Sequence, residues 1–258
     1  MTRRRSPFLP LVFLLSFLAS GYNTLAAPTG GVFTFRRIFK SSVPEFIEIK
    51  IPQNGDQSTV EIRQLEDEPG AASFEIGAPL RSKIFELIGQ LGYFKGLDLD
   101  VHRKIANLGE KTFEWKNGTE TYNVTFNYTL NSAAIQLLQI CEGLAREQEL
   151  LELLERRAKY DRLGVNDALM QFESDLNKGI LPEPARALPL LDQISGDPRF
   201  VEIARQRARS LAERIRHPSP LADTSKTGEL TQNMDFRSST LVLPISISPR
   251  PILPPTRP

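Results

Sequence analysis

Along the first half of the chain apolar positions recur every second residue, and after Leu130 they recur with the spacing of helices. In "EFIEIKI", Ile47, Ile49 and Ile51 alternate with Glu48 and Lys50, and in "STVEIR", Val60 and Ile62 alternate with Thr59, Glu61 and Arg63. That period marks strands buried on one face. Asn54-Gly55 between them is the dipeptide that most readily supplies the positive φ angles of a tight reversal. The pattern therefore predicts a hairpin of strands near 44–52 and 58–64, with "GVFTFRR" before it as a neighbouring strand. In "GAPLRSKIFELIGQLGYF" the period changes: Leu80, Ile84, Leu87, Ile88 and Leu91 share one face of a helix, with Pro79 suited to its first turn. "KGLDLDVHRKIANLGE" is less regular and reads as a connection with room for a short helix.

A second hairpin follows. "KTFEWK" and "ETYNVTFNYTL" flank Asn117-Gly118; Phe113 and Trp115 match Tyr122, Val124, Phe126, Tyr128 and Leu130 as one apolar face. Thr121, Asn123, Thr125, Asn127 and Thr129 form a polar ladder on the other. Strand-strand-helix-strand-strand predicts an α+β domain, a helix backing antiparallel hairpins, over 27–130. From 131 to 216 the chain reads as helices. The first runs from a capping Asn131 or Ser132 to Gly164, with Ile135, Leu138, Leu144, Leu151 and Leu154 as its inner stripe. Shorter ones follow over "NDALMQFESDLNKG", "PEPARALPLLDQISG" and "DPRFVEIARQRARSLAERIR", the last capped by Asp197 with Pro198 in its first turn. No repeat period links them, which argues against a solenoid.

The ends read differently. Arg3, Arg4 and Arg5, an apolar run from Phe8 to about Ala19 and a small-residue stretch make residues 1–26 a secretory signal peptide, cut after Ala26. The apolar run is shorter than the ~20 residues that span a bilayer, so removal is expected rather than anchorage. Tyr22 stands where a lipoprotein would need Cys, and Ser6-Pro7 departs from the twin-arginine motif. Residues 217–258 are rich in Pro, Ser and Thr and read as a disordered tail. Within it, "STLVLPISIS" has the composition to join a sheet edge, and "PRPILPPTRP" the composition of a polyproline ligand. A secreted or periplasmic location follows as the expectation.

Charge changes this picture little. The formal net charge is +1, and loss of residues 1–26 removes three arginines and no acid, leaving −2. Such a balance does not point to nucleic acid. The single Cys141 lacks an internal disulfide partner and lies in an apolar helical stretch, as a buried inert thiol would.

Of the candidate chemistry, "LDLDVH" is sharpest. In an extended strand Asp98, Asp100 and His102 share a face, and two carboxylates with an imidazole suit a divalent metal or acid–base work. The plain alternative is a polar edge beside buried Leu97, Leu99 and Val101. No Gly-x-Ser-x-Gly and no glycine-rich phosphate loop occurs, and the two heptads of "ELLELLERRAKY" are too few for a coiled coil. Three glycan acceptor signatures, at Asn117, Asn123 and Asn127, fall in this region; only Asn117, at the turn, is well presented, and its use depends on the host.

"FRRIFKSSVPEFIEIKI", "IFELIGQLGYFKGLDLDVHRKIANLGEKTF" and "VTFNYTLN" together resemble a group of exported, uncharacterised bacterial proteins of acidobacterial type. The order of elements over about 32–130 is also similar to PepSY-like and β-lactamase-inhibitor-like small domains. The resemblance implies a bacterial host that leaves the acceptor signatures unused. It further implies a binding module without catalytic residues or cofactor, acting on another protein or a cell-envelope component. The alternative is a metal-dependent envelope hydrolase using Asp98, Asp100 and His102.

Overall fold

The computed structural model describes residues 30–218 except 41 and 56; the expected signal peptide and all of the expected tail beyond Pro218 lie outside the described residues. The fold is α+β. Six strands, β1 (Val32–Ile38), β2 (Phe46–Pro52), β3 (Gln57–Arg63), β4 (Ala72–Glu75), β5 (Glu110–Asn117) and β6 (Glu120–Phe126), form one antiparallel sheet in the order β4-β3-β2-β1-β5-β6. Helix α1 (Ala78–Gln90) carries the chain from the β4 edge across to β5. Helices α2 (Ser132–Tyr160), α3 (Val165–Asn177), α4 (Leu188–Gly196) and α5 (Glu202–Arg216) follow.

Alternation places Phe33 and Phe35, Ile47, Ile49 and Ile51, Val60, Phe113 and Trp115, and Val124 and Phe126 on one face, all buried. Phe113 is the hub: its ring lies 5.2–5.9 Å from those of Phe33, Phe35, Phe94 and Phe126. Against this face pack Ile84, Leu87 and Ile88 of α1 and Ala134, Leu137, Cys141 and Leu144 of α2. The opposite face carries Arg36, Lys50, Thr59, Thr112, Glu114, Lys116, Asn123 and Thr125, and none of the described helices contributes to a core there.

Helix α2 is long enough to serve two cores. Its second half, Leu150, Leu151 and Leu154, packs with Phe172, Leu191, Ile194, Phe200 and Leu211 of the helical region. The two cores are pinned by Glu147, fully buried on α2, which accepts the backbone N–H of Glu183 at 2.9 Å and Nη1 of Arg186 at 3.1 Å. Glu183 in turn accepts the N–H of Gly77 at the start of α1, and Arg186 stacks over Phe74 of β4 at 4.5 Å. Gly143 lets the 180–182 segment approach: a Cβ there would stand 2.5 Å from the Ile180 carbonyl oxygen.

Several expectations need correction. Of the expected inner stripe of α2, Leu144, Leu151 and Leu154 are buried; Ile135 and Leu138 are only half-buried, and Ala134, Leu137 and Cys141 take their place because small residues at 134 and 141 bring the helix close to the sheet. The second reversal is Gly118-Thr119, flanked by the Asn117–Glu120 pair, with Gly118 at φ +58°. The first is a longer loop, and Gly55 does not take positive φ. Strand pairing ends at Phe126, so Tyr128 and Leu130 are exposed while Thr129 is buried. β4 is an additional strand. Helix α5 begins at Glu202, because Asp197 instead holds a turn, accepting the N–H and side chain of Arg199.

Candidate functional site

The connection from α1 to β5 starts with three consecutive residues at positive φ: Gly92 (58°), Tyr93 (54°) and Phe94 (65°). For non-glycine residues that conformation is costly and persists only where packing dictates it. Here the Phe94 ring is buried against Phe33 and Phe113, and the Tyr93 ring lies 5.3 Å from that of Trp115. The chain then turns again at Gly96 (φ 62°) and anchors through buried Leu99.

Asp98, Asp100 and His102 lie in this connection, which is irregular as expected rather than a strand. The aspartates bond their own backbone: Asp98 Oδ1 accepts the N–H of Asp100 at 3.1 Å, and Asp100 Oδ2 accepts that of His102 at 3.3 Å. Such local bonds compete with strand pairing. The three side chains nevertheless converge. His102 Nε2 sits 2.7 Å from Asp98 Oδ2, and its Nδ1 3.7 Å from Asp100 Oδ2. His102 itself takes φ 49°.

The electrostatics follow from these bonds. The hydrogen bond from His102 holds the Asp98 carboxyl below its ordinary value. Asp100 is lowered first by the backbone N–H of Asn127 and then by that of Tyr128, both bonded to its Oδ1 at 2.9 and 3.2 Å. The same hydrogen bond and the charge of Asp98 raise His102 above its ordinary 6.5, favouring the imidazolium.

A second set of bonds closes the loop. Asn127 Oδ1 accepts the N–H of Leu108 at 2.7 Å, and its Nδ2 donates to the Ala106 carbonyl at 2.9 Å. Lys111, buried at the start of β5, donates its Nζ to the carbonyls of Leu108, Gly109 and Asn127 at 2.9–3.0 Å. Burial lowers the Lys111 ammonium below its ordinary value, and three carbonyls satisfy its three donors. Asn127 thus spends the amide that its acceptor signature would offer to a glycan. Asn117 is exposed at the hairpin, and Asn123 lies on the exposed face of edge strand β6.

What this scaffold presents is residues 102–108, all exposed. Arg103 and Lys104 make no ion pair among the described residues. Ile105 (40% exposed), Leu108 (46%), Tyr128 (42%) and Leu130 (62%) add large apolar side chains around them. Under the loop, at the end of the open sheet face, lies a cleft of about 690 Å³ bounded by Ile38, Lys40, His102, Ile105, Glu110 and Thr125.

As metal donors the cluster is encumbered. Asp100 Oδ1 is taken by two backbone N–H groups and His102 Nε2 faces Asp98; among the described residues no group of three or more His, Cys, Asp or Glu side chains is arranged to hold a metal ion. Cys141 is buried in the sheet core and burial pushes its thiol well above the ordinary value. Sequence reasoning missed Lys111, Asn127 and the exposed 103–108 stretch. Their only local signal was a lysine and an asparagine at positions expected to alternate, one apolar and one freely solvated. No protein-family model matches the chain, and no curated protein matches it.

Proposed function

We propose that the chain is an exported, non-enzymatic binding module of the cell envelope or extracellular space that docks a partner protein on the 102–108 loop and the adjoining open sheet face. The carrying observation is that a loop held by Asp100, Asn127 and Lys111 offers unpaired Arg103 and Lys104 beside exposed Ile105 and Leu108. Pre-ordered loops of cationic and apolar residues bind with little entropy still to lose, so the preferred partner is a protein surface with carboxylates around an apolar pocket.

The signal-peptide reading of residues 1–26 supports export, and no helix of the described residues is long and apolar enough to cross a membrane. The resemblance to exported bacterial proteins and to small inhibitor-like domains agrees with a binding role. The test is affinity capture with the mature full chain, comparing Arg103→Glu/Lys104→Glu with Arg209→Glu on α5. Loss of a stoichiometric partner in the loop variant alone supports the proposal. A partner retained by the loop variant refutes it.

A further inference from the structure

A second cleft of about 690 Å³ opens in the helical region, between the C-terminal half of α2, the start of α4 and the turn before α5. Its floor is apolar, made by Leu151, Ala158 and Leu190 among others, and its walls carry Lys159, Arg162, Arg186 and Arg199 against one carboxylate, Glu155. The four cations are not equivalent. Arg186 is spent on Glu147 and Gln148, and Arg199 on Asp197. Arg162 makes no hydrogen bond or ion pair among the described residues and feels the Asp197 carboxylate only at longer range, and Lys159 has only a cation–π contact to the neighbouring Tyr160 ring.

Two cations without a hydrogen-bonded partner over an apolar floor form a site of defined chemistry. An inorganic anion would satisfy the charges and leave the floor wet; a neutral apolar molecule would cover the floor and desolvate the charges without compensation. A cleft of this volume is in the range that takes small ligands, about 300–1,000 Å³. We infer that it binds an organic anion, with the anionic group between Lys159 and Arg162 and a short apolar part on Leu151, Ala158 and Leu190. Arg199, whose Nη1 is not used by Asp197, stands as a further donor on the same cleft. The site is separate from the 102–108 loop and does not depend on its role.

Isothermal titration of the mature full chain with octanoate, hexanol and inorganic phosphate tests it. Octanoate is expected to bind one to one, and more tightly than either hexanol, which lacks the charge, or phosphate, which lacks the apolar part. Arg162→Gln should weaken octanoate about tenfold, the scale of one charge-assisted hydrogen bond, and added salt should weaken it further. Arg162 makes no hydrogen bond among the described residues and acts on Asp197 only through its charge, so the substitution should leave the fold intact; an unchanged thermal midpoint checks that. Equal affinity for octanoate and hexanol, equal affinity in Arg162→Gln, or no octanoate binding at all would overturn the assignment. Phosphate binding alone would make the cleft an inorganic-anion site and likewise refute it.

Discussion

Asp100 Oδ1 accepts the backbone N–H of Asn127 at 2.9 Å, joining the loop after α1 to the end of β6 across 27 positions of sequence. The same oxygen takes the N–H of Tyr128, and Val101 donates back to the Tyr128 carbonyl at 3.1 Å. This short stretch of pairing is what keeps residues 102–108 in place at the end of the open face.

Removing that carboxylate should free the loop without unfolding the sheet. In Asp100→Ala the amides of Val101, Asn127 and Tyr128 are expected to exchange hydrogen faster, while those of β1 and β2 keep their protection. Asp98→Ala, which touches only the loop's own backbone and His102, should leave Asn127 and Tyr128 protected. Equal effects of the two variants would contradict the anchor assigned to Asp100.

The imidazole of His102 should titrate above its ordinary 6.5, because Asp98 favours the charged form. Its folded value being raised, its contribution to stability is present in full below the unfolded value and is lost as pH rises through the folded one. For Asp98 the sign is opposite: its lowered value gives a contribution lost as pH falls. The pair therefore favours the folded loop between the two. Proton NMR of the His102 ring, compared with Asp98→Asn, measures the shift directly; the variant should titrate lower.

Glu147 makes the larger pH effect. Burial raises its carboxyl from 4.5 to about 7, against the pull of the Glu183 N–H and of Arg186. The folded state thus holds a proton that the unfolded state releases, so stability falls as pH rises from about 4.5 through about 7. A shift of that size corresponds to order 3 kcal/mol. Urea melts at successive pH values should show the decline, and Glu147→Gln, which keeps an acceptor for the Glu183 N–H, should flatten it. An identical slope in the variant would count against this origin.

Phe113 should be the most sensitive core position. It has no exposed surface and touches four other rings, two of them on the neighbouring strand β1. Phe113→Ala is expected to cost about 3–5 kcal/mol by loss of apolar burial and the cavity left behind. Guanidinium unfolding of the two proteins gives the difference.

Much of this fold was legible in the alternation of "EFIEIKI" and "TFEWK" and in the period of α1, since one buried face dictates both. Asn131 was legible as a cap, and its Oδ1 accepts the N–H of Ala134. β4 was not: four residues at a sheet edge are too few to show a period. The stripe of α2 was legible at Leu144, Leu151 and Leu154 but misplaced at its start, where large side chains outweigh Ala134 and Cys141 in a pattern while close packing favours the small ones. The cluster of Asp98, Asp100 and His102 was found by composition, but its geometry depends on Asn127 and on the positive φ run at 92–94, which no local pattern encodes.

If a partner docks on the 102–108 loop, it comes within reach of exposed Ile105. A photo-crosslinking residue placed at Ile105 would then capture it, with a second at Gln206 on α5 as the control, each in the full chain expressed in its own host. One discrete adduct is expected from Ile105, lost when Arg103 and Lys104 are changed to Glu, and none from Gln206. No adduct from Ile105, or the same adducts from both positions, would contradict it.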